Sequence, residues 1–151
     1  MEQKINESQN LMIQVILANT SSAMGISKTI CDHSNDKILK ADEIICGLVY
    51  RLMIPMTDEE IEESMHNAED IMYQESSSDE EDNEEDNENI INDLEEFKIS
   101  KKVRTNTCNC DICSQVRVCL LNFNDYIPKD ELGDMFKNSI LKTCSEYKRT
   151  I

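Results

Sequence analysis

The sequence predicts an all-α protein: a small N-terminal helical bundle, a disordered acidic connector, and a C-terminal αα-hairpin that carries a cluster of cysteines. Three observations lead there. Only three glycines and two prolines occur in 151 residues, too few for the tight turns of a sandwich or barrel. Apolar residues recur at helical spacing in several separate segments. Hydrophobic residues make up 39% of the chain, aromatics 5%, and Trp is absent, so the core must be built from Ile, Leu, Met and Val.

Taken in order, residues 5–18 form the first predicted helix, with Ile5, Met12 and Ile16 on one face and Leu11, Val15 and Leu17 widening it. Thr20, Ser21, Ser22 and Gly25 then read as a break, and 26–36 as a short helix or turn. Residues 37–54 read as the central helix of the N-terminal half. Ile38, Ala41, Ile45, Leu48, Val49 and Leu52 share a face there, and Pro55 ends the run. Thr57 with Glu60 three residues later is a capping box, and Asp58 and Glu59 suit the positive end of a helix dipole. The stripe Ile61, Met65, Ala68 and Met72 carries that helix to about Gln74. Cys31 and His33 have the spacing of a metal-binding pair, but isolated Cys-x-His is common by chance and they read as core or exposed residues.

The formal charge of −16 is unevenly placed. Residues 1–75, an acidic helical bundle, carry a net −9, whereas 76–97 carry 11 acidic side chains and no basic one. Residues 98–151 reverse the sign to +4. Segment 76–89 has no apolar residue and cannot offset the entropy of ordering, so it reads as a disordered acidic linker. Ser76, Ser77 and Ser78 each have an acidic residue three positions later, the pattern read by acidophilic kinases, and are candidate phosphorylation sites. Ile90, Ile91, Leu94 and Phe97 suggest a short helix leading into the 90–151 module, which either stands alone or packs on 1–75 as one domain.

That module contains Cys108, Cys110, Cys113 and Cys119 within twelve residues. Short Cys-x-Cys and Cys-x-x-Cys loops bring two thiolates to one ion without a long loop to close, so Cys108, Cys110 and Cys113 are candidate zinc ligands. Cys119 is the nearest fourth ligand and Cys144 the alternative. Periodicity offers both an ordinary role as well. Ile112, Val116, Cys119, Leu120 and Phe123 share one helical face, and Leu132, Phe136, Ile140, Cys144 and Tyr147 share another, after Pro128 in a predicted first turn. A hairpin of these two helices would bury Cys119 and Cys144 together. The spacing matches no standard ferredoxin run, so zinc is expected ahead of an iron–sulfur cluster.

Function is bounded more than named. The early apolar stretch 11–18 is interrupted by Gln14 and falls short of a membrane span, so no membrane partner is expected. Seven cysteines without a signal peptide fit an intracellular, reducing compartment. No Gly-rich phosphate loop or placed set of catalytic groups is present, and catalysis is not expected. The expected function is that of a non-enzymatic adaptor that binds protein partners, with homo-oligomerisation as a way to supplement a small core. One alternative is a nucleic-acid-associated or histone-chaperone-like acidic protein, with Lys101, Lys102, Arg104 and Arg117 contacting phosphates. Another is a thiol redox protein using Cys110 and Cys113, although no βαβ context surrounds that pair.

The run Cys-Asn-Cys-Asp-Ile-Cys-Ser-Gln-Val-Arg-Val-Cys-Leu-Leu-Asn-Phe at 108–123, and the segment 41–57, resemble small uncharacterised proteins of giant DNA viruses of the Mimivirus type. The resemblance implies a setting only: the cytoplasm of an infected host cell, a virus factory or a virion.

Overall fold

The computed structural model describes residues 2–74 and 100–151, with side chains from residue 6 onward. The acidic connector, Ser76, Ser77 and Ser78, and the helix expected at 90–97 lie outside the described residues. The fold is all-α. Helices α1 (Glu2–Asp32), α2 (Ala41–Met53) and α3 (Asp58–Tyr73) precede the gap, and α4 (Asp111–Asn122) and α5 (Glu131–Glu146) follow it. No helix among the described residues is long and apolar enough to cross a membrane.

The expected break at 20–25 does not occur, and α1 runs unbroken to Asp32. Thr20, one of the residues read as a break, and the flanking Asn19 and Ser27 instead donate to carbonyls one turn back. Asn19 Nδ2 bonds Val15 O at 2.9 Å, Thr20 Oγ1 bonds Ile16 O at 2.9 Å, and Ser27 Oγ bonds Ala23 O at 3.0 Å. Small size is the second reason. Ala18, Ala23 and Ser27 are buried, and they form the smooth face against which the neighbouring helices lie.

The second helix begins later than its periodicity suggests. Lys37 sits in the left-handed region at φ 51°, which separates Ile38 and Leu39 from the helix and leaves both exposed. Glu43 Oε2 then accepts the Lys40 backbone N–H at 2.9 Å to start α2. The capping box of α3 forms as expected: Glu60 N–H donates to Thr57 Oγ1 at 3.2 Å, and Thr57 N–H donates to Glu60 Oε2 at 2.9 Å. Ala68 and Ser64 of α3 are buried, whereas Ile61, at the start of the expected stripe, is exposed.

α2 is the central helix of the whole described molecule. Its Ile45 and Val49 pack in one cluster with Cys119 and Phe123 from the α4 end and Ile140 and Cys144 from α5. Its Cys46 and Tyr50 pack in a second cluster with Ile30 of α1 and Val116 of α4. The residues before and after the connector therefore share one core. Tyr50 Oη reinforces the seam by bonding Gln115 Oε1 at 3.1 Å.

α5 starts at Glu131 with Asp130 as its cap, accepting from Gly133 N–H at 2.7 Å, so Pro128 precedes the helix rather than opening it. Tyr147 falls beyond the helix end and is exposed. A feature that periodicity does not announce follows. Lys101–Lys102 (β1) and Arg149–Thr150 (β2) form a two-residue parallel pair, with Val103 N–H donating to Thr150 O at 2.8 Å. Arg149 Nε also reaches Asp42 Oδ1 at 2.8 Å, tying the C-terminal segment to the start of α2.

Candidate metal centre

The loop between β1 and α4 delivers three thiols to one place. Cys110 is the N-cap of α4 with extended backbone, so the chain turns sharply there and its side chain lies over the first helical turn. Cys113, in that turn, therefore faces back toward Cys110. The resulting geometry is cradled by N–H groups: Cys110 N–H points at Cys108 Sγ at 3.5 Å, and Cys113 N–H at Cys110 Sγ at 3.5 Å.

The fourth donor comes from the other half of the chain. His33, the residue after α1, places Nδ1 at 3.4 Å from Cys108 Sγ, 3.2 Å from Cys110 Sγ and 3.6 Å from Cys113 Sγ. All four ligand atoms lie within 4.8 Å of one another. Donors on a zinc tetrahedron with metal–ligand bonds of about 2.0–2.3 Å stand roughly 3.5–3.8 Å apart, so these atoms need only small shifts to enclose an ion. The group can therefore hold a metal ion, and its donor set, three sulfurs and an imidazole nitrogen, is one that zinc takes in structural sites.

His33 stays on site because α1 runs past the expected break and ends with backbone bonds, His33 N–H to Thr29 O at 3.1 Å and Ser34 N–H to Cys31 O at 3.0 Å. The same helical phase turns Cys31 into the interior, so only one member of the Cys-x-His pair reaches the loop. Asn106 joins the two halves directly. Its Nδ2 donates to Ile30 O at 3.0 Å and to Cys113 Sγ at 3.3 Å, while its Oδ1 accepts the Cys108 N–H at 3.3 Å.

The electrostatics of the three thiols differ. The backbone N–H of Cys113, at the positive end of α4, pulls the Cys110 thiol down to about 6, aided by hydrogen bonds from neighbouring side chains. Burial pushes the Cys113 thiol up to about 11. Cys113 is only 2% exposed, while Cys108 and Cys110 are half-buried and His33 is exposed. The site thus lies at the surface, with its deepest ligand resting on the core.

Of the residues singled out from the sequence, Cys108, Cys110 and Cys113 come together. Cys119 and Cys144, the expected fourth ligands, are both 4% exposed in the core cluster with Ile45 and Val49, and neither belongs to the ligand group. Burial pushes both of those thiols up. Lys101 and Lys102 are exposed on β1, and Arg104 lines a polar cleft with His33, Asp36 and Lys40. Arg117 holds the ligand loop, donating through Nη1 to Asn106 O at 3.2 Å and through Nη2 to Asn109 Oδ1 at 3.4 Å.

Sequence reasoning weighed His33 only as a partner of Cys31 and set it aside, and it missed Asn106. The available signal for His33 was arithmetic: three cysteines at metal spacing need a fourth donor, and the chain holds only two histidines. No family model matches the chain, and neither does any curated protein or solved structure.

Proposed function

We propose that this protein is a zinc-organised helical adaptor whose metal centre clips the end of α1 to the start of α4 and so fixes a rigid surface for protein partners. The observation that carries the reading is the convergence of His33 with Cys108, Cys110 and Cys113 across 75 to 80 residues of chain. Four protein donors fill a tetrahedral coordination shell and leave no position for a substrate or an activated water, which favours a structural role over catalysis. A metal that joins distant segments is worth more to the fold than one that bridges neighbours, because it closes a long loop of the unfolded chain.

The test is the zinc content of the full chain purified without added metal, measured by elemental mass spectrometry. One equivalent is expected, lost in His33→Ala and in Cys110→Ser but retained in Cys119→Ala. No metal in the wild-type chain after zinc is offered, or retention by His33→Ala with loss in Cys119→Ala, would overturn the assignment. For the adaptor role, the zinc-loaded chain and Cys110→Ser are each immobilised and the proteins they retain compared. A partner held only by the loaded form is expected, and identical retention by both forms would remove the interaction reading.

A second reading has one observation in its favour. The lowered Cys110 thiol beside Cys113, at the start of a helix, is an arrangement that also suits thiol exchange. A chain that takes up no metal but cycles a Cys110–Cys113 disulfide would favour it.

A further inference from the structure

Apart from the His33 imidazole, each of the three thiols in the centre has one N–H donor, and the third donor is of a different kind from the other two. Cys108 Sγ receives the backbone N–H of Cys110, and Cys110 Sγ receives that of Cys113. Both of those donors are backbone groups of the Cys-x-Cys-x-x-Cys turn itself. The turn offers nothing comparable to Cys113 Sγ, whose N–H donor is the side-chain amide of Asn106 at 3.3 Å. Cys113 is also the most buried of the four ligands, so its thiolate has the least help from water.

From this geometry we infer that Asn106 is a positioning residue for the metal centre: its amide supplies the N–H donor of the buried Cys113 thiolate and sets the ligand loop in register with the end of α1. The inference rests on the metal reading above. Its chemistry is that of an amide with two donors and one acceptor, all of them used. One Nδ2 hydrogen goes to Cys113 Sγ and the other to Ile30 O, three residues before His33, while Oδ1 takes the Cys108 N–H. One planar group is thus bonded to two of the ligand residues and to the helix that ends just before the third.

Three thiolates and a neutral imidazole around a divalent ion leave one net negative charge, in a chain whose formal charge is already −16. An N–H bond to a coordinated sulfur draws off part of that charge and weakens the sulfur's tendency to take up a proton and leave. Arg117 adds to the arrangement by donating to the Asn106 carbonyl at 3.2 Å, which fixes the backbone from which the amide projects. Removing partners that hold metal ligands typically costs 10- to 100-fold in metal affinity.

Asn106→Asp is the informative variant. It keeps the shape and the acceptor for Cys108 N–H but replaces both Nδ2 donors with a carboxylate oxygen. Asn106→Gln keeps the amide on a longer arm. The full chain and both variants are loaded with Co(II), and the sulfur-to-cobalt charge-transfer band and the rate of metal loss to a chelator are recorded. Loss of the N–H bond leaves Cys113 a stronger electron donor, so the Asp variant is expected to shift that band to lower energy and to release metal at least tenfold faster, with partial recovery in the Gln variant. A residue that merely stabilised the fold would lower the melting temperature and leave the band in place.

A second measurement uses the wild-type chain alone and does not depend on a variant folding. On loading with ¹¹³Cd, the Asn106 Nδ2 protons should shift and show coupling to the metal through the sulfur. An unmoved band with an exchange rate within twofold of wild type, or Asn106 amide protons blind to the bound cadmium, overturns the inference while leaving the metal assignment standing. A wild-type chain that takes up neither metal overturns the assignment itself.

Discussion

Gly47 and Ser27 face each other where α2 crosses α1, and no side chain fits between them. A Cβ placed on Gly47 would collide with Ser27 Oγ and with the Ala23 carbonyl, and the second of these belongs to a helix backbone that cannot swing aside. The small-residue stretch of α1 is therefore a contact surface. It sets the distance between α1 and α2, and with it the place where His33 emerges.

Gly47→Ala should destabilise the protein by about 1–3 kcal/mol, the usual cost of forcing extra atoms into a packed contact, despite the better helix propensity of alanine. Gly25 is the internal control, because a Cβ there meets nothing within 4 Å. Gly25→Ala should stabilise by roughly 0.5–1 kcal/mol. Thermal unfolding followed by circular dichroism separates the two, and equal shifts in the same direction would contradict the tight crossing.

The Thr57 cap should be worth about 1 kcal/mol, so Thr57→Ala should lower stability by that amount. Both bonds of the box are present, and Glu60 also lies 3.6 Å from the buried Arg51 guanidinium. Urea denaturation of the variant checks the value, and no measurable loss would mean that the Arg51 contact alone holds the α3 start.

Cys119 and Cys144 should behave as core residues. Cys119→Ala is expected to keep the metal and to cost about 1 kcal/mol through the volume it removes from the cluster around Phe123 and Ile140. Metal content and melting temperature measured on the same sample test both halves of this statement.

In the metal-free chain the thiols should separate by reactivity. At neutral pH, alkylation should reach Cys110 ahead of Cys113, Cys119, Cys144 and Cys46, since Cys110 is drawn down to about 6 whereas burial pushes Cys46 up to about 12. Peptide mapping after brief exposure to iodoacetamide reads the order, and early labelling of Cys46 would contradict the packing of α2.

The same shift has a sign in stability. Cys110 has an ordinary value of 9.0 and a folded one near 6, so its thiolate favours the folded metal-free chain fully above pH 9. That contribution shrinks as pH falls from 9 and is lost below 6. Cys113 works in the opposite sense: its thiol, raised to about 11, favours the folded state below pH 9 and loses that contribution as pH rises through 11. Denaturant midpoints between pH 6 and 8.5 should therefore rise in the wild-type metal-free chain more steeply than in Cys110→Ser. Parallel slopes would rule out a depressed Cys110.

Much of the secondary structure was legible because it rests on local chemistry. The α3 start is written in Thr57 and Glu60, and the buried faces of α4 and α5 in the spacing of Val116, Cys119 and Phe123 and of Ile140 and Cys144. The break expected near Ser21 failed because Thr20 bonds the Ile16 carbonyl, Ser22 Oγ accepts from Arg51 of α2, and the adjoining Ala23 and Ser27 are buried, which together outweigh the weak helix propensity of the segment.

What the sequence by itself determined was the helical class, the charge reversal along the chain, and three thiol donors within one short turn, since each depends on residues close together in the chain. Tertiary structure alone decided which fourth donor meets them. His33 lies 75 residues before Cys108, and no periodicity or spacing relates them. Only the close crossing of α1 on α2, with α4 packed on the same α2, brings the imidazole to the thiols and sends Cys119 and Cys144 into the core. Spacing states which donors a chain can offer, and packing selects the donors that meet.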